Sequence, residues 1–121
     1  MRTIALSILI CLLACQSNKM NNNQTHPYIV VLGIAQDAGY PQANCNKQCC
    51  EKAWENKNLT KYVSCIALVD PISKQQWLFD ATPDIKFQLQ ELEKITNINP
   101  INGIFLTHAH IGHYVGLLQL G

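Results

Sequence analysis

The stretch Gly103-Ile104-Phe105-Leu106-Thr107-His108-Ala109-His110-Ile111-Gly112-His113 constrains this chain more than any other. A short apolar run, readable as a buried strand, ends in Thr107. Three of the chain's four histidines follow within the next six residues. Neutral imidazole is the commonest ligand for zinc and similar divalent metals, and a catalytic centre needs several ligands converging on one point. In an extended stretch His108 and His110 project to the same side. A turn through Gly112 then returns His113 to them. The alternative is a surface turn where histidines gather by chance, but the strand before and the apolar segment after favour a metal motif.

The strand, the Thr-His-x-His-x-x-His turn and the apolar helix start Tyr114-Val115-Gly116-Leu117-Leu118 resemble the signature of the metallo-β-lactamase-fold hydrolases. That signature usually reads H-x-H-x-D-H. The resemblance implies that His108 and His110 are ligands of a first metal and His113 of a second. The family's aspartate, another second-metal ligand, falls at Gly112, which has no side chain to offer. One catalytic zinc is therefore expected, and a second is doubtful. The family's remaining ligands are expected downstream of Gly121, so the chain is expected to be a truncated domain that is inactive alone.

The opposite end carries a different signal. In residues 1–15, Arg2 precedes an apolar core from Ile4 to Leu13. This core is too short to span a bilayer, which takes about 20 apolar residues. It ends in Leu12-Leu13-Ala14-Cys15, which resembles the lipobox of bacterial lipoproteins. The resemblance implies cleavage before Cys15, lipidation of its thiol, and an exported protein anchored to a membrane. An ordinary signal peptide or an uncleaved anchor are the alternatives. Residues 16–27 are mainly polar and read as a tether. A net charge of +1 and few aromatics give no electrostatic or stacking case for nucleic acid.

Residues 28–121 read as one α/β (α+β) unit. Tyr28 to Ile34 is β-branched and apolar, fit for a buried strand. Lys61 to Asp70 predicts a second strand, Pro71-Ile72-Ser73-Lys74 a turn, and Gln75 to Asp80 the returning hairpin strand. Thr82-Pro83-Asp84 opens a helix, with Thr82 as cap, Pro83 at the first position and Asp84 facing the dipole. Ile85, Leu89, Leu92 and Ile95 give it one apolar face through about Thr96. This order matches the N-terminal half of the αββα sandwich that the family resemblance implies. Half a sandwich leaves an apolar sheet face without a partner layer.

A Gly/Pro loop follows the first strand and leads to Cys45, Cys49 and Cys50. Cysteines a few residues apart on a turn can surround one zinc. The loop resembles that of the coenzyme PQQ synthesis protein B-like branch of the superfamily, whose cysteine-rich loop holds a structural zinc. The resemblance makes Cys45, Cys49 and Cys50 candidate zinc ligands with an unknown fourth, although Cys-x-x-x-Cys-Cys departs from the branch's C-x-C-x-x-C. A disulfide from Cys45 to Cys49, Cys50 or Cys65 is the alternative, since export meets oxidising conditions. Cys65 itself reads as a small buried hydrophobe.

Asp80 closes the second hairpin strand. In the superfamily an aspartate there lies behind the ligand loop and steadies it, which implies a supporting role for Asp80. Simple helix-start chemistry is the other reading. Asp37 either faces the same cleft or serves the turn. The function expected is metal-dependent hydrolysis of a small molecule in the intact form, with activated water as nucleophile. The alternative is a non-catalytic, metal- or small-molecule-binding exported lipoprotein.

Overall fold

The computed structural model describes residues 24–36 and 38–121. The expected signal peptide, the lipidation at Cys15, the first part of the tether and Asp37 lie outside the described residues. Strand β1 spans Tyr28–Gly33, β2 Cys65–Asp70, β3 Gln75–Phe79 and β4 Gly103–Phe105. They form one mixed sheet in the order β1-β2-β3-β4. The first three are antiparallel neighbours, and β4 runs parallel to β3. A parallel pair needs a crossover connection, and here it is helix α2, Ile85–Thr96. A shorter helix, α1, covers Gln48–Glu55 in the cysteine loop. No helix among the described residues is long and apolar enough to cross a membrane.

The core lies between the sheet and α2. Leu32, Cys65, Ala67, Val69 and Leu78 point inward from the strands, and Ile85 and Leu92 meet them from the helix. The predicted apolar helix face is thus the buried one, with Leu89 packed at its margin. Asn97, in the left-handed conformation (φ 56°), ends α2 and donates its N–H to the Glu93 carbonyl at 2.7 Å. In the β2–β3 turn Asp70 accepts from the Ile72 N–H at 3.0 Å and from the Ser73 hydroxyl at 2.7 Å. These local bonds fix the hairpin register that pairs Asp70 with Gln75.

Several expectations need correction. β1 and β4 are not buried strands, because the described residues supply a helix layer on one face only. Ile29 and Val31 are 52% and 62% exposed, and Phe105 is 54% exposed. Val31, Ile66, Phe79 and Phe105 run in register across this open face, with the Phe79 and Phe105 rings stacked at 5.4 Å. The open apolar face anticipated for half a sandwich is therefore present. β2 begins at Cys65 rather than Lys61. Ahead of it, Lys61 and Val63 make single bridges to Tyr40 and Ala35. The ladder cannot continue there because Gly33 crosses so close that a Cβ on it would lie 1.9 Å from the Val63 carbonyl oxygen.

The start of α2 also differs in detail. Thr82 is buried, and its hydroxyl accepts from the Asp84 N–H and donates to Gln88. The Asp84 carboxylate turns away from the helix and accepts from the Val63 N–H at 2.9 Å. Gln88, fully buried on the otherwise apolar helix face, donates to the Val63 carbonyl at 2.7 Å. Tertiary partners outcompete the helix end for these groups. The segment after the histidines is a 3-10 helix at Val115–Leu120, not an α-helix.

Candidate functional site

The end of β3 grips both sides of the histidine turn. Asp80 follows the strand with φ 73°, a left-handed conformation that aspartate tolerates better than most residues. Its N–H donates to the Phe105 carbonyl, and the Ala81 N–H donates to the His113 carbonyl, both at 2.8 Å. The chain between those carbonyls is thereby tied into a loop. Its return is a 3-10 turn, Ile111–His113, with Gly112 buried and the His113 N–H bonded to the His110 carbonyl at 2.9 Å.

The Asp80 side chain, almost fully buried, organises the loop from behind. One carboxylate oxygen accepts the Thr107 N–H at 2.8 Å, and the Thr107 hydroxyl lies 2.9 Å from both oxygens. The other oxygen sits 2.8 Å from His113 Nδ1. Burial by itself would raise the Asp80 pKa. Hydrogen bonds from the Thr107 N–H, His113 and the Thr107 hydroxyl outweigh it and hold the carboxyl below its ordinary range. Asp80 is therefore an ionised acceptor at neutral pH. Its carboxylate thus bonds the histidine turn.

That charge dictates two imidazole tautomers. A carboxylate only accepts, so His113 Nδ1 carries a proton. The Thr107 hydroxyl must aim its single hydrogen at Asp80. It can then only accept from His108 Nδ1, which lies 2.9 Å away. A chain of three hydrogen bonds thus makes the Nδ1 of both imidazoles a donor to the protein and orients the two rings.

The rings are gathered. His108 stands 4.1 Å from His113 and 4.7 Å from His110, centroid to centroid. All three line one cavity of about 480 Å³, whose remaining wall is Ile34, Ala35, Gln36 and Ser64. This wall is also built: the Ile34 and Ala35 N–H groups donate to the Tyr62 carbonyl, and the Ser64 N–H donates to the Ala35 carbonyl at 2.8 Å. The histidine nitrogens do not form a group with every atom within 4.8 Å of the others, as the cysteine sulfurs do, but imidazole is the donor type that suits a borderline-soft divalent cation such as zinc. Gly112 contributes nothing to it.

Cys45, Cys49 and Cys50 are also brought together. Their sulfurs lie within 4.8 Å of one another, the one such group of ligand atoms among the described residues. Cys45 and Cys50 form a disulfide, while Cys49 is a free, exposed thiol. Cys65 belongs to the core, and burial followed by the Asp80 charge pushes its thiol up to about 12. The sequence does not announce the roles of Thr107, Gln36 and Ser64. The only signal for Thr107 was its place immediately before His108, and the wall residues had none.

No family model matches the chain. Among curated proteins it is similar to coenzyme PQQ synthesis protein B of Methylorubrum extorquens, strain PA1, with 33% identity over 100 residues, covering 77% of this chain and 33% of the relative. The Xanthomonas campestris protein of the same name (strain B100) is 29% identical over 98 residues, covering 76% of this chain and 33% of the relative. The crystal structure of Zn(2+)-bound PqqB from Methylobacterium extorquens matches with a TM-score of 0.65 and 33% identity, over 76% of this chain and 35% of that one. A diphosphatase from the PhnP family shares the fold at a TM-score of 0.63 and 23% identity, over 78% of this chain and 34% of its own. The chain spans about a third of the length of the curated relatives it matches. These likenesses, with the sheet, helix and histidine turn described above, support the coenzyme PQQ synthesis protein B-like branch of the metallo-β-lactamase-fold superfamily.

Proposed function

We propose that this chain carries the histidine side of a metal-dependent hydrolase centre. His108, His110 and His113 hold a zinc ion, while Thr107 and Asp80 orient two of the three imidazoles. The observation that carries the reading is the hydrogen-bond chain from Asp80 through Thr107 to His108 and directly to His113, which engages the Nδ1 of both imidazoles and fixes the two rings. Zinc is the metal chosen because the donors suit it and because the similar PqqB structure is zinc-bound. When bound, the metal supplies Lewis acidity and acidifies a water. The chain's own contribution is to fix the ligands and to face them with Ile34, Gln36 and Ser64, where a small-molecule substrate rests.

Turnover belongs, in this reading, to a protein of the relatives' full length whose further layer covers the open sheet face. Cys45, Cys49 and Cys50 hold a second, structural zinc. Cys15 is the lipid anchor of an exported, membrane-attached protein. The bond cleaved is an ester, thioester, amide or phosphodiester, since fold does not select among them. A second reading is a metal-binding protein without turnover, and Gly112 favours it, because this position offers no carboxylate to a second metal or to the attacking water.

The test is metal analysis by plasma mass spectrometry, together with a hydrolysis panel of esters, lactams and phosphodiesters, on a protein of the relatives' full length. One zinc equivalent that is lost in the His108→Ala/His110→Ala variant, along with turnover, supports the hydrolase. Zinc retention without turnover on any class supports the binding protein. An unchanged metal content in the double variant would sink the histidine assignment.

A further inference from the structure

The cysteine cluster holds two arrangements that compete for the same sulfurs. Cys45 and Cys50 are joined as a disulfide, and the free Cys49 sulfur stands 3.9 Å from that of Cys50. Zinc with thiolate bonds of about 2.3 Å in a tetrahedron holds its sulfurs about 3.8 Å apart. Cys49 and Cys50 already have that spacing. Cys45 is within reach too, but while it is bonded to Cys50 neither sulfur is a thiolate, and a thiolate is what binds the metal.

The backbone around them is held by contacts that involve no sulfur. The Trp54 indole N–H donates to the Cys45 carbonyl at 2.8 Å, the Tyr40 hydroxyl to the Cys49 carbonyl, and the Cys50 N–H to the Lys47 carbonyl at 2.8 Å. A change of bonding among the sulfurs therefore leaves the loop in place. Nor is the loop remote from the histidines, because Ala35 and Gln36 line both the cavity beside the cysteines and the one that the histidines face.

Resting on the reading of these cysteines as a zinc site, we propose that Cys45, Cys49 and Cys50 form a redox-gated metal site: the three thiolates bind zinc when reduced, and the Cys45–Cys50 disulfide expels it. The oxidant is a low-molecular-weight disulfide. The Cys45 thiolate attacks one of its sulfurs and releases the first small thiolate. The Cys50 thiolate then attacks the Cys45 sulfur of the mixed disulfide and releases the second. Two electrons pass from the protein to the small disulfide, which leaves as two thiols after taking up protons. Zinc departs to water because two of its three ligands are gone. Cys49 remains as a free, exposed thiol, and a small thiol in excess reverses the sequence through it or directly.

Cobalt(II) reports on this site separately from the histidines, since thiolate ligands give a near-ultraviolet charge-transfer band that imidazole does not. The full chain is reduced, loaded with cobalt(II), recorded, and then treated with oxidised glutathione, with disulfides located by peptide mass mapping. The expected result is a band in the reduced protein that is weakened in Cys45→Ser and lost on oxidation as the Cys45–Cys50 peptide pair appears. A band that survives formation of this disulfide overturns the gating while leaving the cysteine metal site standing. No band in the reduced protein, or one unchanged in Cys45→Ser, overturns both. Pairing of Cys49 instead of Cys50 with Cys45 overturns the assignment of the gate.

Discussion

The Asp80 carboxylate accepts a hydrogen bond from His113 Nδ1 at 2.8 Å across 33 residues of sequence, and the same carboxylate holds Thr107, which in turn holds His108. One buried charge therefore sets the protonation pattern of two imidazoles. This relationship makes the end of β3 part of the site rather than merely the start of a helix.

Asp80→Asn tests it with little change of shape. The amide can still accept from Thr107, but its NH2 faces His113 Nδ1 and forces that nitrogen to become the acceptor. The proton then sits on Nε2, where a metal would bind. Loss of such support costs about 10–100-fold in metal affinity, and competition with a chromophoric chelator measures it. Nitrogen-15 NMR of the imidazoles should show the tautomer exchange directly.

Acid stability follows from the same group. The folded pKa of Asp80 is depressed, so its contribution to stability is complete above the unfolded carboxyl value of about 3.9 and is lost as pH falls through the lower folded value. Wild type should lose stability toward acid more steeply than Asp80→Asn. Urea titrations of the metal-free proteins from pH 6 downward check the sign.

Cys65 and Cys49 should differ sharply in reactivity. Burial and the Asp80 charge push the Cys65 thiol to about 12, whereas Cys49 is exposed. At pH 8 iodoacetamide should alkylate Cys49 in the folded chain and reach Cys65 only after denaturant is added. Peptide mass spectrometry of the two sites distinguishes them.

Gly116 is expected to tolerate no side chain. A Cβ there would lie 2.1 Å from the Thr82 carbonyl oxygen, and this is backbone that cannot step aside. Overpacking of this kind costs about 1–3 kcal/mol or more. In Gly116→Ala the Gly116 N–H to Ala81 carbonyl bond, now 2.9 Å, should break and loosen the seat of His113. Thermal unfolding should show the lower stability, and chelator competition a weaker metal site.

Leu92→Ala removes a fully buried side chain from the face of α2 that packs on the sheet. A loss of about 2–5 kcal/mol is expected, against about 1–3 kcal/mol for Gln88→Leu, which leaves the Val63 carbonyl and the Thr82 hydroxyl without their partner. Chemical denaturation of both variants ranks the apolar and polar halves of the helix seat.

What the sequence determined by itself was local. An apolar, β-branched run located β1, Pro71 to Lys74 placed the hairpin, and the spacing of Ile85, Leu89 and Leu92 oriented α2. The histidine and cysteine clusters were legible because residues a few positions apart are near neighbours in any conformation. Only the tertiary structure decided that Asp80 and Thr107 prepare His108 and His113, that Gln36 and Ser64 face them, and that Cys50 rather than Cys65 takes Cys45. It also decided that Thr82, Asp84 and Gln88 serve Val63 and one another instead of the helix end alone. Periodicity states which residues share a face of one element. The partner across the fold depends on how two elements dock, and that is set by shape, close approaches such as those at Gly33 and Gly116, and hydrogen bonds spanning more than 20 residues.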